Sequence, residues 1–363
     1  MPRSVPLPDA LGDAPFSVRE ARGLGVSASR LRASDLEAPF HGIRRLRPTS
    51  AWAEQTDEER AQRRFDELVR DCASFQRREG RAVIFSHVTA ARLFRMPLPW
   101  RLETRGLLDV AALTPDHAPQ GAGILGHRLT GGRFTLASIA GFRVPNPIRV
   151  WIQLAPLLSV DELIVAGDHL VRRKSPLTTL DELLEALSRL RRVRGVRKLR
   201  AAGPSIRART DSPAESRTRL VLVHGGLPEP VIGLEVLDRD GYFVGTPDLA
   251  YEVEKVALDY EGEIHRVDGQ TFEDDIERRE RFQDAGWRHI RVTRDHLARP
   301  HTLVDRVGFA LAERRAERAN AAVSADAPIR AHPPRPPIRP ARPSARPSAP
   351  SAHSPVDSGH LAG

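Results

Sequence analysis

The clearest periodic stretch along the chain is Glu58–Gly80, where Phe65, Leu68, Val69, Cys72 and Phe75 recur at helical spacing. Ser86 caps a second expected helix through Leu93, and strand-like pieces follow at Leu107–Leu113, Thr135–Ile139 and Val150–Ile152. Two further helices are expected around Val160–Val171 and Leu180–Leu190, before a basic linker, Arg189–Arg209. In this middle region His87, His117 and His127 stand among polar residues and read as surface or hydrogen-bonding histidines. Near the start, Ser17-Val-Arg-Glu20 fits a capping box opening a short helix. Gly23-Leu-Gly25 makes a turn, Ser27 can cap a second helix carrying Leu31 and Leu36, and Phe40–Leu46 reads as a strand pair or wing.

Two short helices, a glycine turn and a basic wing make a winged helix-turn-helix pattern over residues 1–50. Arg30, Arg32, Arg44 and Arg45 would line its DNA side, with Arg19 and Arg22; the plainer reading is a small helical subdomain with a solvated arginine face.

The C-terminal pattern is different. Ser212-Pro213-Ala-Glu215 opens a helix through Leu222, and Val231–Leu237 alternates as a strand. Asp238-Arg-Asp-Gly241 forms a hairpin turn, and a second strand, Tyr242–Tyr251, carries Asp248. A third strand, Lys255–Glu261, is followed by a helix near Phe272–Ala285 closed by Gly286, a strand Trp287–Thr293 and a helix Pro300–Glu313. On the third strand Val256, Leu258 and Tyr260 face one way and Ala257, Asp259 and Glu261 the other. Two carboxylates on one face repel unless a cation or protons intervene. Divalent metal is the economical answer, because Mg²⁺ takes one or two carboxylates and keeps its waters for phosphate. Asp248, on the neighbouring strand, can point at the same spot.

Each acid also has a plainer role open to it. Glu215 can be the reciprocal partner of Ser212 in a capping box, and Asp248 a turn residue. Asp259 and Glu261 can form a solvated strand face, and Asp275 can pair with Arg279. His265 is open as a loop histidine or as a proton-transfer and phosphate-contacting group.

Composition narrows the class. The 363 residues suffice for two or three domains, and no apolar run approaches membrane-spanning length. The N-terminus lacks the pattern of a secretory signal, and the single Cys72 excludes a disulfide framework or a cysteine metal knuckle; a cytoplasmic location is expected. Lys and Arg number 56 against 47 Asp and Glu, a net charge of +9 carried almost wholly by arginine. Arginine grips phosphate bidentately, so DNA is the favoured partner, although a high-GC genome would also enrich arginine. Residues 327–363 are too rich in Pro, Arg, Ser and Ala to fold and are expected to be disordered, with Arg330, Arg335, Arg339, Arg342 and Arg346 available to phosphate.

Two resemblances follow from these residues. The winged pattern at Ser17–Arg47, the run Ser86-His-Val-Thr-Ala-Ala-Arg-Leu93 and Asp161-Glu-Leu-Ile-Val-Ala-Gly-Asp168 resemble the AbiEi family, the antitoxin component of a bacterial toxin-antitoxin system. That resemblance covers about half the chain, including a middle domain at 57–202. It implies operator binding by the N-terminal domain and nothing catalytic.

Ser-Pro-x-Glu215, Pro247-Asp248-Leu-Ala, Val-Ala-Leu-Asp259-Tyr-Glu261-Gly262, His265-Arg266, Phe272-x-x-Asp275-x-x-Arg278 and Gly286-Trp287-x-x-Ile-Arg-Val-Thr293 occur in that order. Together they resemble the Vsr-like branch of the PD-(D/E)XK superfamily, the branch of very-short-patch repair endonucleases, over residues 212–315. The resemblance implies a restriction-endonuclease-like α-β-β-β-α-β domain. Glu215, Asp248, Asp259 and Glu261 would bind Mg²⁺ or Mn²⁺; Asp248, Asp259, Glu261 and His265 would serve catalysis, with Asp275 accessory. The superfamily lysine falls at Glu261 and is absent. The branch more often reads Glu-x-Asp where this chain has Asp259-Tyr-Glu261, which moves each carboxylate by about 1.5 Å.

The expected architecture is therefore α/β and multidomain: a winged helix-turn-helix, an α+β middle domain, a nuclease-like domain and a disordered tail. The leading expectation is a DNA-binding protein with a metal-dependent endonuclease domain. The alternative is a non-catalytic, antitoxin-like repressor whose nuclease-like domain is inactive. A cognate toxin or a repair protein is the further partner each implies, and no membrane.

Overall fold

Local capping chemistry sets the first elements. Ser17 Oγ accepts from Glu20 N at 3.1 Å while Glu20 reaches back to the Ser17 amide, the capping box expected there. The computed structural model describes residues 5–48, 56–80, 82–130, 135–261 and 269–325, with a mixed α/β architecture. Strand β1 (Phe16–Ser17) leads into helix α1 (Val18–Gly23), and β2 (Leu36–Glu37) and β3 (Ile43–Leu46) complete an antiparallel sheet in the order β1-β3-β2.

Two expectations change here. The second helix is a single 3-10 turn, Arg30–Arg32, because Leu36 is already taken up by β2; its N-cap residue is Ser29 rather than Ser27, though Ser27 Oγ accepts from Arg30 N at 3.2 Å. The expected strand pair at Phe40–Leu46 is one strand, β3, paired on both edges.

Helix α2 (Asp57–Glu79) begins with a full Thr56/Glu59 capping box. Strand β4 (Ile84–Phe85), α3 (His87–Leu93) and the short α4 (Trp100–Glu103) follow, then β5 (Leu108–Leu113), β6 (Ile124–Leu129), β7 (Leu136–Ile139) and β8 (Phe142–Pro145). The sheet runs β6-β5-β4-β8-β7, with β5–β6 and β4–β8 parallel and the other two pairs antiparallel. Next come α5 (Pro147–Leu154), α6 (Val160–Leu170), α7 (Leu180–Ser188) and α8 (Val196–Ala202).

Val150–Ile152, expected as a strand, lies inside α5. Asn146 caps that helix by accepting from Arg149 N at 2.8 Å, Pro147 occupies its first turn, and burial on every side hides the helical period. The expected linker at Arg189–Arg209 is likewise structured: α8 buries Leu199 and Ala202 in the same core as Ile206 and Leu220.

His87 and His127, expected as separate polar histidines, stack with ring centroids 3.6 Å apart. His127 Nε2 meets the buried Asp109 carboxylate at 2.7 Å, and His87 Nδ1 shares a proton with Ser86 Oγ at 3.0 Å. Burial and the neighbouring imidazole push the His87 pKa down to about 4.

The C-terminal elements are α9 (Pro213–His224), β9 (Val231–Ile232), β10 (Val236–Leu237), β11 (Phe243–Gly245), β12 (Leu249–Tyr251), β13 (Val256–Tyr260), α10 (Gly269–Asp284), β14 (Arg288–Val292), α11 (Arg294–Ala298) and α12 (Pro300–Ala325). Each of the two long strands expected before β13 is broken in two. Gly233, at φ +59°, turns the first out of line, and Thr246-Pro247 interrupts the second. The outer pieces form a separate antiparallel hairpin, β10–β11, and the inner pieces join a sheet ordered β14-β13-β12-β9. Only β13–β14 is parallel in that sheet.

The alternation on β13 is as expected. Val256 and Leu258 pack with Leu222 of α9 and with Leu303, Val307 and Leu311 of α12. Ala257 faces the other layer, with Phe282 of α10, Trp287 and the hairpin residues Val236 and Val244. Gly286 ends α10 at φ +81°, a conformation that favours glycine.

The described residues up to Glu317 belong to one compact unit, and the end of α12 from Arg318 belongs to another. Among the described residues no helix is long and apolar enough to cross a membrane. His265 and the tail arginines lie outside the described residues, as does the side chain of Asp275.

A buried ion pair ties α6 to α9 within the first unit. Arg219, 2% exposed, donates to Asp168 Oδ2 at 3.0 Å, to Ser205 O at 2.9 Å and to Glu229 Oε1 at 2.7 Å. Asp168 Oδ1 accepts from Arg207 N at 2.7 Å. Burial pushes the Asp168 pKa up, and the Arg219 charge opposes that rise. Breaking such a pair leaves an uncompensated buried charge and costs about 3–5 kcal/mol. Urea denaturation of Asp168→Ala is expected to show that loss, and the double variant Asp168→Leu/Arg219→Met to recover much of it.

Candidate functional site

The site is built where the two broken strands rejoin the sheet. After Pro247 the chain enters β12 beside β13, and the pairing Leu249↔Leu258 brings Asp248 next to Asp259. The two acids are locked to each other's backbone: Asp248 N donates to Asp259 Oδ1 at 2.9 Å, and Tyr260 N donates to Asp248 Oδ2 at 2.8 Å. Glu215, 6% exposed, approaches from the first turn of α9. Its backbone N is capped by Ser212 Oγ at 3.2 Å, but its carboxylate does not close the capping box. Glu215 Oε2 instead accepts from Asp211 N at 2.8 Å, one residue earlier.

The three carboxylates carry unequal electrostatic loads. Asp248 is pushed up to about 7, first by burial and then by the charges of Glu215 and Asp259. Glu215 is raised mainly by burial, against its hydrogen bonds from Asp211 and Ser212. Burial also acts to raise Asp259, yet the net shift is downward, because His289 and Arg278 outweigh it. His289 Nε2 sits 2.8 Å from Asp259 Oδ2, and Arg278 Nε donates to the same oxygen at 3.1 Å while its Nη2 holds Thr246 O at 2.9 Å. The Phe282 ring stacks on His289 at 5.4 Å and lies under the Arg278 guanidinium.

Glu261 stands apart from this trio. It is ion-paired with Arg291 of β14, the residue registered beside Asp259. Among the described residues no group of three or more His, Cys, Asp or Glu side chains is arranged to hold a metal ion. The four expected ligands are thus divided: Asp248 and Asp259 are hydrogen-bonded neighbours, Glu215 acts on Asp248 through its charge, and Glu261 is committed to Arg291.

Three of the four expected DNA-facing arginines are engaged within the chain. Arg30 forms a bidentate pair with Asp35 at 2.9 and 2.8 Å, and Arg45 meets Glu37 at 2.6 Å and Asp71 at 2.8 Å. Arg44 donates to the carbonyls of Leu31 and Ile43. Arg32 is exposed on the 3-10 turn.

The sequence reading assigned no role to His289, Arg291, Arg278 or Arg173. Alternation on β14 does put His289 and Arg291 on one face, but only the parallel register with β13 puts that face beside Asp259. Comparison with protein-family models, curated proteins and solved structures finds no match.

The raised Asp248 pKa has a definite sign. The folded chain holds the Asp248 proton more tightly than the unfolded chain, so the group favours folding below its unfolded value near 4, and that contribution is lost as pH rises through about 7. Asp248→Asn, which keeps an acceptor for Tyr260 N, is expected to stabilise the protein at pH 8 by on the order of a few kcal/mol and to change little at pH 4. Thermal melts across that range check it.

Proposed function

We propose that the chain is a DNA-acting protein whose C-terminal part is a divalent-metal-dependent endonuclease of the restriction-endonuclease-like class. The observation that carries this reading is the Asp248–Asp259 pair, fixed by reciprocal backbone bonds on adjacent strands with Glu215 beside it. Three acids in one half-buried place leave Asp248 half-protonated near neutrality, an electrostatic demand for a cation.

The donor set suits Mg²⁺ or Mn²⁺ bound through few protein ligands. One Asp248 oxygen, Oδ1, is not used by the Tyr260 bond, and Asp259 Oδ1 accepts one hydrogen bond and has a second lone pair. Mg²⁺ requires only one or two carboxylates, with water and phosphate oxygens completing its shell. Asp248 and Asp259 are thus the residues that would hold the ion, and Glu261 would not. Such a metal, when bound, supplies positive charge to the phosphoryl oxygens and a more acidic water. The chain's own residues perform the positioning: His289 and Arg278 orient Asp259, and Asp211 N anchors Glu215 beside Asp248.

Incubation of the purified protein with supercoiled DNA and Mg²⁺ or Mn²⁺ tests the reading. Nicking is expected only with metal, and Asp248→Asn and Asp259→Asn are each expected to reduce it at least about 100-fold. Cleavage that persists in either variant, or none at all by the unaltered chain, overturns the proposal.

A second reading is favoured by a specific observation. Arg278 and Arg291 already pair with Asp259 and Glu261 without any metal, and His289 Nε2 hydrogen-bonds Asp259. A chain built to balance its acids internally would suit an antitoxin-like repressor whose nuclease-like part only binds, with a cognate toxin as partner. That reading expects a gel shift on the protein's own promoter, unaffected by Asp259→Asn and without cleavage.

A further inference from the structure

We infer that the basic loop after α6, together with Arg209, is a clamp for the phosphodiester backbone of a polynucleotide lying across the Glu215–Asp248–Asp259 cluster. The inference rests on the nuclease-type reading for the role of the acids, but the clamp itself stands on separate residues. Those residues come from the part of the chain between α6 and α9, outside the segment that carries the acids.

The loop carries Arg172-Arg173-Lys174-Ser175 and is fastened to the edge of the site. Arg173 N donates to Thr210 O at 3.3 Å. The Arg173 guanidinium spans both oxygens of Asp211, with Nε at 3.3 and 3.1 Å, and Lys174 Nζ lies 3.8 Å from the same carboxylate. The next link is direct: Asp211 N donates to Glu215 Oε2. Arg173 therefore sits one residue's reach from the acid trio, and its charge acts on both Glu215 and Asp248.

A second approach comes from Arg209, whose Nη2 donates to Gly233 O at 3.3 Å. Gly233 N in turn donates to Asp248 O at 3.4 Å. Arg209 holds a left-handed backbone, φ +75°, a conformation unfavourable for a residue with a side chain. That turn carries the chain from Arg207 past Gly233 toward the α9 cap.

The consequence is a composite rim. Lys174 is 78% exposed and Arg173 44% exposed, so both offer charge outward while Asp211 fixes where they stand. A bare acid cluster repels a polyanion, and any enzyme cutting one must hold the backbone from outside the cluster. Arginine suits this because its fork can keep one edge on Asp211 and turn the other to a phosphate. A lone phosphate or mononucleotide would meet one cation at a time, whereas a strand spans the rim from Lys174 to Arg209. Strand length is therefore the property the clamp selects.

Binding, measured apart from cutting, tests the clamp. The full chain is titrated by fluorescence anisotropy into a labelled 20-base-pair DNA duplex and a matched RNA duplex, over a range of salt, with Ca²⁺ replacing Mg²⁺. The variants are Lys174→Glu, Arg173→Gln/Lys174→Glu and Arg209→Gln, with Arg173→Lys as the charge-retaining control and thermal melts to confirm folding. Each lost phosphate contact is expected to lower the slope of log K against log salt by about 1, and the double variant to bind roughly tenfold or more weakly. Arg173→Lys is expected to stay close to the unaltered chain. Unchanged slopes in the folded variants, or no binding to either duplex by the unaltered chain, overturn the clamp. Intact slope changes without metal-dependent cleavage uphold the clamp and overturn the nuclease reading alone. The duplex that shows the larger slope change identifies the polynucleotide.

Discussion

The buried pair between Arg219 and Asp168 holds α9, which presents Glu215, against α6, which leads into the basic loop. Arg219 is on α9, about one helical turn beyond Glu215, and Asp168 is on α6, just before the basic loop at Arg172–Ser175. One ionic contact therefore sets the distance between the helix that presents Glu215 and the loop that presents Arg173. Ser205 O and Glu229 accept from the two terminal nitrogens, Arg219 Nε is buried without a partner, and Arg207 N satisfies the other Asp168 oxygen. A charge pair taken out of water is poor value as stability, since apolar residues of like volume often do as well. What it gives instead is orientation, because a guanidinium with several fixed acceptors permits a single geometry.

The acids show the same economy of partners, applied unevenly. Asp259 is held ionised by His289 and Arg278, whereas Asp248, hydrogen-bonded to it through its backbone N, is raised by burial and by the neighbouring acids. Two aspartates on adjacent strands are thus shifted in opposite directions through surroundings alone. The difference arises from sheet register. β14 lies parallel to β13 and places its polar side chains against Asp259, while β12 is followed on its other edge by β9, which brings backbone instead.

Much of the C-terminal architecture was legible in the sequence, and the reasons are local. Alternation on β13, the glycine after α10 and the Ser212 cap are short-range signals, and each is found where expected. The breaks at Gly233 and Thr246-Pro247 were not read, although a proline within an apparent strand is itself a warning. Val150–Ile152 misled because a fully buried helix and a buried strand look alike over three β-branched or aromatic residues. The partners of the acids were invisible for a different reason. Arg278, His289, Arg291 and Arg173 reach them across 19 to 75 positions of chain (259 to 278 and 173 to 248), through pairings that no local pattern encodes. Glu261 shows the consequence: its spacing from Asp259 suggested a shared ion, and the register supplied Arg291 instead.

The hairpin β10–β11 leaves the sheet and returns to it at two points that are pinned independently of its tip. Gly233 N holds Asp248 O at the return, and Asp259 Oδ1 holds Asp248 N. Val236 and Val244 root the base in the core beside Phe282, while Leu237, Tyr242 and Phe243 project into solvent. The tip takes part in neither of these bonds. Its length and composition can drift, and with them whatever it touches, while the peptide that carries Asp248 keeps its address.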